Sequence, residues 1–176
     1  LRVATVTDAE AIAALHAASW RATYRGAMSD AYLDGDVLGE RRATWHERLT
    51  APAANQWVVV AETEGEVVGF GCAYGAKDER FGTELDNLHV RSDRQSGGIG
   101  AHLLAAVAGW CTATHPDVGL YLWVLTQNLR AREFYARMGA EDAGADVWLP
   151  PDGSRVPVRR CVWRVATLGE LSRRTS

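Results

Sequence analysis

Residues 94–104 read "RQSGGIGAHLL", with three glycines in four positions at the mouth of an apolar run. Such a loop suits anion chemistry. The first N–H groups of a helix lack intrahelical partners and lie at the positive end of its dipole. Glycines let the backbone curl and let a phosphate approach those groups closely. A tight turn with close helix packing uses the same residues, so the loop alone leaves both readings open. Two common phosphate readers are excluded. A Walker loop needs GK[ST], but Gly100 is followed by Ala101 and His102. A dinucleotide fingerprint needs a third glycine and a place in the first strand–helix unit, and the loop has neither. Covalent catalysis lacks a nucleophile. Cys72, Cys111 and Cys161 sit in apolar contexts, with no CxxC pair, no His at ligand spacing and no GxSxG elbow. No metal site is expected, and a reduced, cytoplasmic setting fits the cysteine usage.

The elements that position this loop must come from one domain, since the chain has 176 residues. Charged residues make up 23% and net charge is −3, which argues against a nucleic-acid partner. The first twenty residues lack the basic start and long apolar core of a secretory leader. The uncharged run from Ala101 to Pro116 is too short and polar to span a bilayer, so no membrane partner is expected.

Thr7 and Glu10 form a T-x-x-E capping box, and Ile12 and Leu15 follow at helical spacing, predicting a helix over 8–19. Short helices are expected over 29–34 and 38–49, with glycine breaks at Gly35 and Gly39. "WVVVAE" and "VVGFGCAYG" read as a hairpin around "TEGE". "ELDNLHVR" is a strand of imperfect alternation, leading into the glycine loop. Ile99, Leu103, Val107 and Cys111 predict a four-turn amphipathic helix. "VGLYLWVL" is a buried strand, and a helix from Asn128 ends at Gly139. Two strands flank a Pro-Asp-Gly turn, and residues 167–176 read as a polar, fraying tail. The expected class is α/β (α+β), with a mixed, mostly antiparallel sheet flanked by helices over residues 1–166. The strand–helix–strand around the glycine loop makes one parallel pair.

Gln95, Gly98 and Gly100 match the pattern Q/R-x-x-G-x-G/A. Here the chain resembles the GNAT superfamily of acyl-CoA-dependent N-acetyltransferases. "ELDNLHV" resembles the strand before that family's pyrophosphate loop. "LWVLTQNLRAREFYARMGAED" resembles its later strand and the helix carrying Asn, Ala, Phe-Tyr and Gly at fixed spacing. "ALHAASWRATYRGAMSDAYL" is similar to the first helices of a bacterial subgroup, and "PDGSRVPVRRCVW" to its closing hairpin. The likeness runs over nearly the whole chain in the right order. One departure stands out: Gly97 replaces a basic residue common in relatives, which implies weaker or more salt-tolerant CoA binding.

The resemblance implies a cofactor held where a parallel strand pair splays. The amides of Ser96, Gly97, Gly98, Ile99, Gly100 and Ala101 would face the pyrophosphate of acetyl-CoA, with Gln95 also in the cofactor site. Leu88, His89 and Val90 would offer backbone to its pantetheine arm, with a backbone N–H near Leu88 or His89 polarising the acetyl carbonyl. Asn128 would contact the same arm, although an N-cap role explains it equally well, and Arg132 would reach a phosphate or solvent. Tyr135 would protonate the leaving thiolate; a plain aromatic pair with Phe134 is the other reading. Glu84 would be the base that frees the amine, with Asp86 in reserve, and either could only bridge an arginine. Regular alternation would turn His89 away from that face. Trp20, Tyr24 and Arg25 would line the acceptor pocket. The activity implied is direct acetyl transfer in a ternary complex to a small-molecule amine. A non-catalytic acyl-CoA sensor and a protein or peptide acetyltransferase are the alternatives, and pairing as a homodimer follows from resemblance only.

Overall fold

The computed structural model describes residues 1–173. A two-residue strand, β1 (Arg2–Val3), precedes a single 3-10 turn and α1 (Ala9–Thr23). Short α2 (Asp30–Leu33) and α3 (Val37–Thr50) follow. Then come β2 (Gln56–Thr63), β3 (Glu66–Asp78), β4 (Gly82–Val90) and α4 (Ile99–Thr114). The chain closes with β5 (Leu120–Leu125), α5 (Leu129–Arg137), β6 (Glu141–Trp148), β7 (Val156–Trp163) and α6 (Val165–Arg173). Among the described residues the strands form one sheet in the order β1-β2-β3-β4-β5-β7-β6. All neighbours are antiparallel except β4 and β5, which are parallel.

The run "WVVVAE" is apolar at consecutive positions because the sheet is covered on both sides. Val58 and Val60 pack with Ile12, Trp45 and Phe70 beneath α1 and α3. Val59 and Ala61 face the other way, against Leu103, Leu104 and Val107 of α4. A third cluster joins Trp20, Leu33 and Val37 to Leu125 and Val158 at the end of β5 and β7.

Four details differ from the sequence reading. The capping box forms two residues earlier: Thr5 donates its N–H to the Asp8 carboxylate at 2.8 Å, while Glu10 bonds Arg42. Asp8 is fixed there by the fork of Arg2, with both N–H···O bonds at 2.8 Å. Gly39 does not break α3, because its N–H is capped by the Asp36 side chain at 3.0 Å. The expected fraying tail is helical over residues 165–173, since Leu168 and Leu171 are each 1% exposed against α4. Residues 174–176 of that tail lie outside the described residues.

The fourth difference concerns the site. In β4, Leu85 pairs with Ala73 and Asn87 pairs with Cys72, so Asp86 is an extra residue in a β-bulge. The bulge explains the imperfect alternation of "ELDNLHV". It also reverses the facing of every residue after it. His89 therefore stands opposite Phe70 and meets its ring at 5.2 Å, on the side covered by α1.

Candidate active site

The parallel pairing of β4 and β5 is short, only Thr83 with Leu120 and Glu84 with Tyr121. It starts where Gly82, at φ 88°, lets β4 approach Gly119; a Cβ there would sit 2.4 Å from the Gly119 carbonyl oxygen. After Glu84 the strands part. A groove of about 920 Å³ opens between them, bounded by the glycine loop and α5. A second cavity of about 390 Å³ lies under α1 and α3. Tyr24, Leu85, Asp86, His89, Trp123 and Leu125 line both, so the two spaces share a wall.

At one end of the groove, Gly98 caps α4 at φ 83°, a left-handed conformation open to glycine without strain. No side chain caps the helix, so the amides of Ile99, Gly100 and Ala101 point out of its first turn without intrahelical acceptors. Gln95 donates from its side-chain amide to the Val90 carbonyl at 3.1 Å, tying the loop to the strand. Ser96, itself at φ 68°, accepts from Arg130 at 3.2 Å. Leu88, Val90, Gln95, Ser96, Gly98, Gly100 and Ala101 all line the groove. Ile99 instead packs into the core beneath it, and Gly97 is exposed.

Asn128 caps α5: its side-chain oxygen accepts the Ala131 N–H at 3.1 Å, while its amide nitrogen stays without a protein partner among the described residues. Tyr135 is 9% exposed, lies edge-on to Phe134 and Trp163 and lines the groove. Its hydroxyl has no protein partner among the described residues. Burial pushes the phenol far above its ordinary range, reinforced by Cys161 and Tyr24. It therefore stays protonated throughout the working range of pH.

The smaller cavity gathers the acidic and aromatic residues. Glu84 is bridged to Lys77, and Asp86 accepts from Arg48 at 2.8 Å through Oδ2. Trp20 and Tyr24 meet at a tilt of 50° with ring centroids 5.1 Å apart, and both meet Trp148. Burial moves the Tyr24 phenol up to about 12, with Asp86 adding to the effect and Arg41 opposing it. His89 bonds Ser19 at 2.7 Å and lies 4.8 Å from the His16 ring. Burial depresses His89 to about 4, against the pull of Asp86, and depresses His16 much further. Both imidazoles are neutral at pH 7. The Trp45 indole donates to His16 Nδ1 at 3.0 Å, which leaves the proton of that ring on Nε2.

Residues 11–140 match the Acetyltransferase (GNAT) family. The chain belongs to that family. A probable N-acetyltransferase of Mycobacterium tuberculosis is 28% identical over 165 residues, covering 89% of this chain and 88% of that protein. The uncharacterized N-acetyltransferase YuaI of Bacillus subtilis is 31% identical over 132 residues, 73% of this chain and 72% of its own. The PaiA N-acetyltransferase of Thermoplasma acidophilum, solved in complex with coenzyme A, has the same fold. It superposes with a TM-score of 0.67 at 19% identity, covering 90% of this chain and 95% of that one.

As a GNAT N-acetyltransferase, the chain uses acetyl-CoA as cosubstrate. The groove suits it. The helix-opening amides beside the left-handed Gly98 have the geometry to accept an anion, and Arg94 and Arg130 stand beside them. Beyond Glu84 the inner edge of β4 has no strand partner among the described residues, leaving backbone groups for an extended arm.

Not every expected residue comes to these spaces. Arg132 turns away, donating to the Thr126 carbonyl at 3.1 Å and lying 3.9 Å from Asp142. Arg130, Phe134 and Arg137, spaced i, i+4 and i+7 on α5, take the groove side instead. That helical spacing was the available signal for Arg130. Arg25 ties down α2 through Asp30 and Asp34 on the surface. His16, Arg41, Arg48, His89, Asp146 and Trp148 are among the cavity residues that alternation and motif reading left out of the acceptor pocket. Among the described residues no helix is long and apolar enough to cross a membrane.

Proposed function

We propose that the chain moves an acetyl group from acetyl-CoA to a primary amine of a small molecule, by direct attack in a ternary complex. The single observation that supports this most is the shared wall. A groove suited to a long phosphate-bearing cosubstrate meets a cavity of about 390 Å³ at Asp86, His89 and Tyr24. That volume is in the range of small-molecule sites.

Asp86 takes the base role in this reading, ahead of Glu84. Its Oδ2 is held by Arg48 and Asn87, which leaves Oδ1 to accept the amine proton, directly or through one water. Glu84 lies in the cavity but outside the groove and helps receive the cationic amine before it is deprotonated. The neutral amine attacks the thioester carbonyl, polarised by a backbone N–H near Leu88 or His89. As the carbon–sulfur bond breaks, Tyr135 donates its proton to the leaving thiolate. No acyl-enzyme is required. The three thiols are buried, and burial raises Cys72 to about 12 and Cys161 to about 11.

The test is calorimetric binding of acetyl-CoA, followed by an amine library with thiol release read by a chromogenic disulfide. Saturable binding with release on one amine class supports the enzyme. Binding with no release from any amine replaces it with an acyl-CoA sensor, and release only with peptides or proteins replaces the small-molecule acceptor.

A further inference from the structure

We infer that the amine acceptor also carries an anion, a carboxylate or a like oxyanion, received by the guanidinium of Arg41 in the smaller cavity. This rests on the reading of that cavity as the acceptor site.

Helix α3 presents Arg41, Trp45 and Arg48 at i, i+4 and i+7, one face of the helix. Trp45 is fully buried and fixes how that face meets the sheet. The two arginines on either side both line the cavity, yet they stand differently. Arg48 is matched by Asp86 at 2.8 Å. The Arg41 guanidinium makes no hydrogen bond among the described residues. Its nearest carboxylate, Glu40, is 3.7 Å away and accepts the Tyr32 hydroxyl. The side chain is only 14% exposed, and Nε is buried with no partner. Arg41 lies over the Trp20 ring at 4.4 Å. Stacking occupies the face of a guanidinium and leaves its in-plane N–H fork free for a planar oxyanion.

The other charges of the cavity sharpen the point. Glu84 is bridged by Lys77 and Asp86 by Arg48. Asp146 accepts its neighbour's N–H at 2.7 Å and has no cation partner among the described residues. The weakly matched charges are thus the Arg41 guanidinium, whose one ion pair among the described residues is Glu40 at 3.7 Å, and the Asp146 carboxylate. A zwitterion complements both, with its anion at Arg41 and its ammonium on the acidic side. A polyamine would bring a cation beside the half-buried Arg41 guanidinium, so the same arrangement selects against it. Apolar surface between the charges comes from Trp20, Tyr24 and Trp148.

The experiment uses matched acceptors: α-, β- and γ-amino acids, each against the amine left when the carboxylate is removed. Thiol release gives kcat/KM for wild type, Arg41→Gln and Arg41→Lys, with the calorimetric Kd for acetyl-CoA as the check on folding. In wild type the carboxylate-bearing member of at least one pair is favoured by about tenfold or more. Arg41→Gln abolishes that preference through KM, and Arg41→Lys keeps part of it. Equal or faster turnover of the bare amines overturns the inference, as does a preference that survives Arg41→Gln. If no amine is turned over, the acetyltransferase reading of the cavity fails by itself. The anion site is then read by tryptophan fluorescence, titrating N-acetyl amino acids into the CoA complex. Saturation lost in Arg41→Gln upholds the site, and no saturation in wild type overturns it.

Discussion

Replacing Tyr135 by Phe removes one oxygen and nothing else, which makes it the sharpest test of the proposed chemistry. The ring contacts remain: Phe134 at 5.2 Å and Trp163 at 6.0 Å between centroids. The hydroxyl has no protein partner among the described residues, so no intramolecular hydrogen bond is lost. Stability should change by less than about 1 kcal/mol, a Tm shift of no more than about 2–4 °C in a domain of this size. Acetyl-CoA affinity should hold within about twofold, because the cradle lies on α4 and not at the phenol. Turnover should fall by about 10²–10⁴, or about 3–5 kcal/mol of barrier, the usual worth of a placed general acid. The pH profile carries a second check. The active form of Tyr135 is protonated, and its pKa is raised above the ordinary 10 by burial. The ratio of wild-type to variant turnover should therefore stay constant from pH 6 to 10. The assay is thiol release at saturating acetyl-CoA and amine. A fall in turnover of less than about threefold, or a wild-type limb near pH 10 that the variant lacks, would refute the argument.

Three more outcomes are expected. Asp86→Asn should lower kcat by at least tenfold more than Glu84→Gln, whose effect should appear mainly in KM; the reverse order in steady-state kinetics returns the base role to Glu84. Gly97→Arg should tighten acetyl-CoA several-fold at low salt and lose the gain near 0.5 M, since a Cβ at Gly97 meets only the Arg94 carbonyl oxygen at 3.7 Å; calorimetry showing no change at low salt would sink the idea. Folded His16 and His89 bind protons only far below the ordinary 6.5, so unfolding favours proton uptake as pH falls. Their stability contribution is present above pH 6.5 and lost below it, about 2 kcal/mol for each histidine by pH 5; denaturant unfolding that stays flat from pH 7 to 5 would show that they are not buried neutral.

The order of elements and the parallel pair were legible because they rest on periodicity and on one glycine-rich junction. What escaped the sequence was governed by single contacts. Gly39 looks like a helix breaker until the Asp36 cap is seen. The tail looks polar, yet Leu168 and Leu171 lie three apart and reach one face of α6, a spacing too brief to stand out. Arg2 and Val3 are too few to declare themselves a strand, and they pair only because β2 presents an edge. On α5 the sequence reading named Arg132 alone; helical geometry turns Arg130 and Arg137 toward the groove and Arg132 toward Thr126.

The bulge at Asp86 links these levels. One inserted residue raises the local twist, so β4 leaves β5 after only two paired positions and opens the groove. The same insertion reverses the parity of the strand. Glu84 and His89, five residues apart, should face opposite ways in regular β structure and here line one cavity. The inserted residue itself lies on the wall between the two spaces, held by Arg48 through one oxygen and free at the other. A deletion of Asp86 would therefore do more than remove a carboxylate. It would restore a regular ladder with β3, with His89 still opposite Phe70, and extend the β4–β5 ladder across the groove. Loss of acetyl-CoA binding together with activity is the expected signature, whereas Asp86→Asn should spare binding.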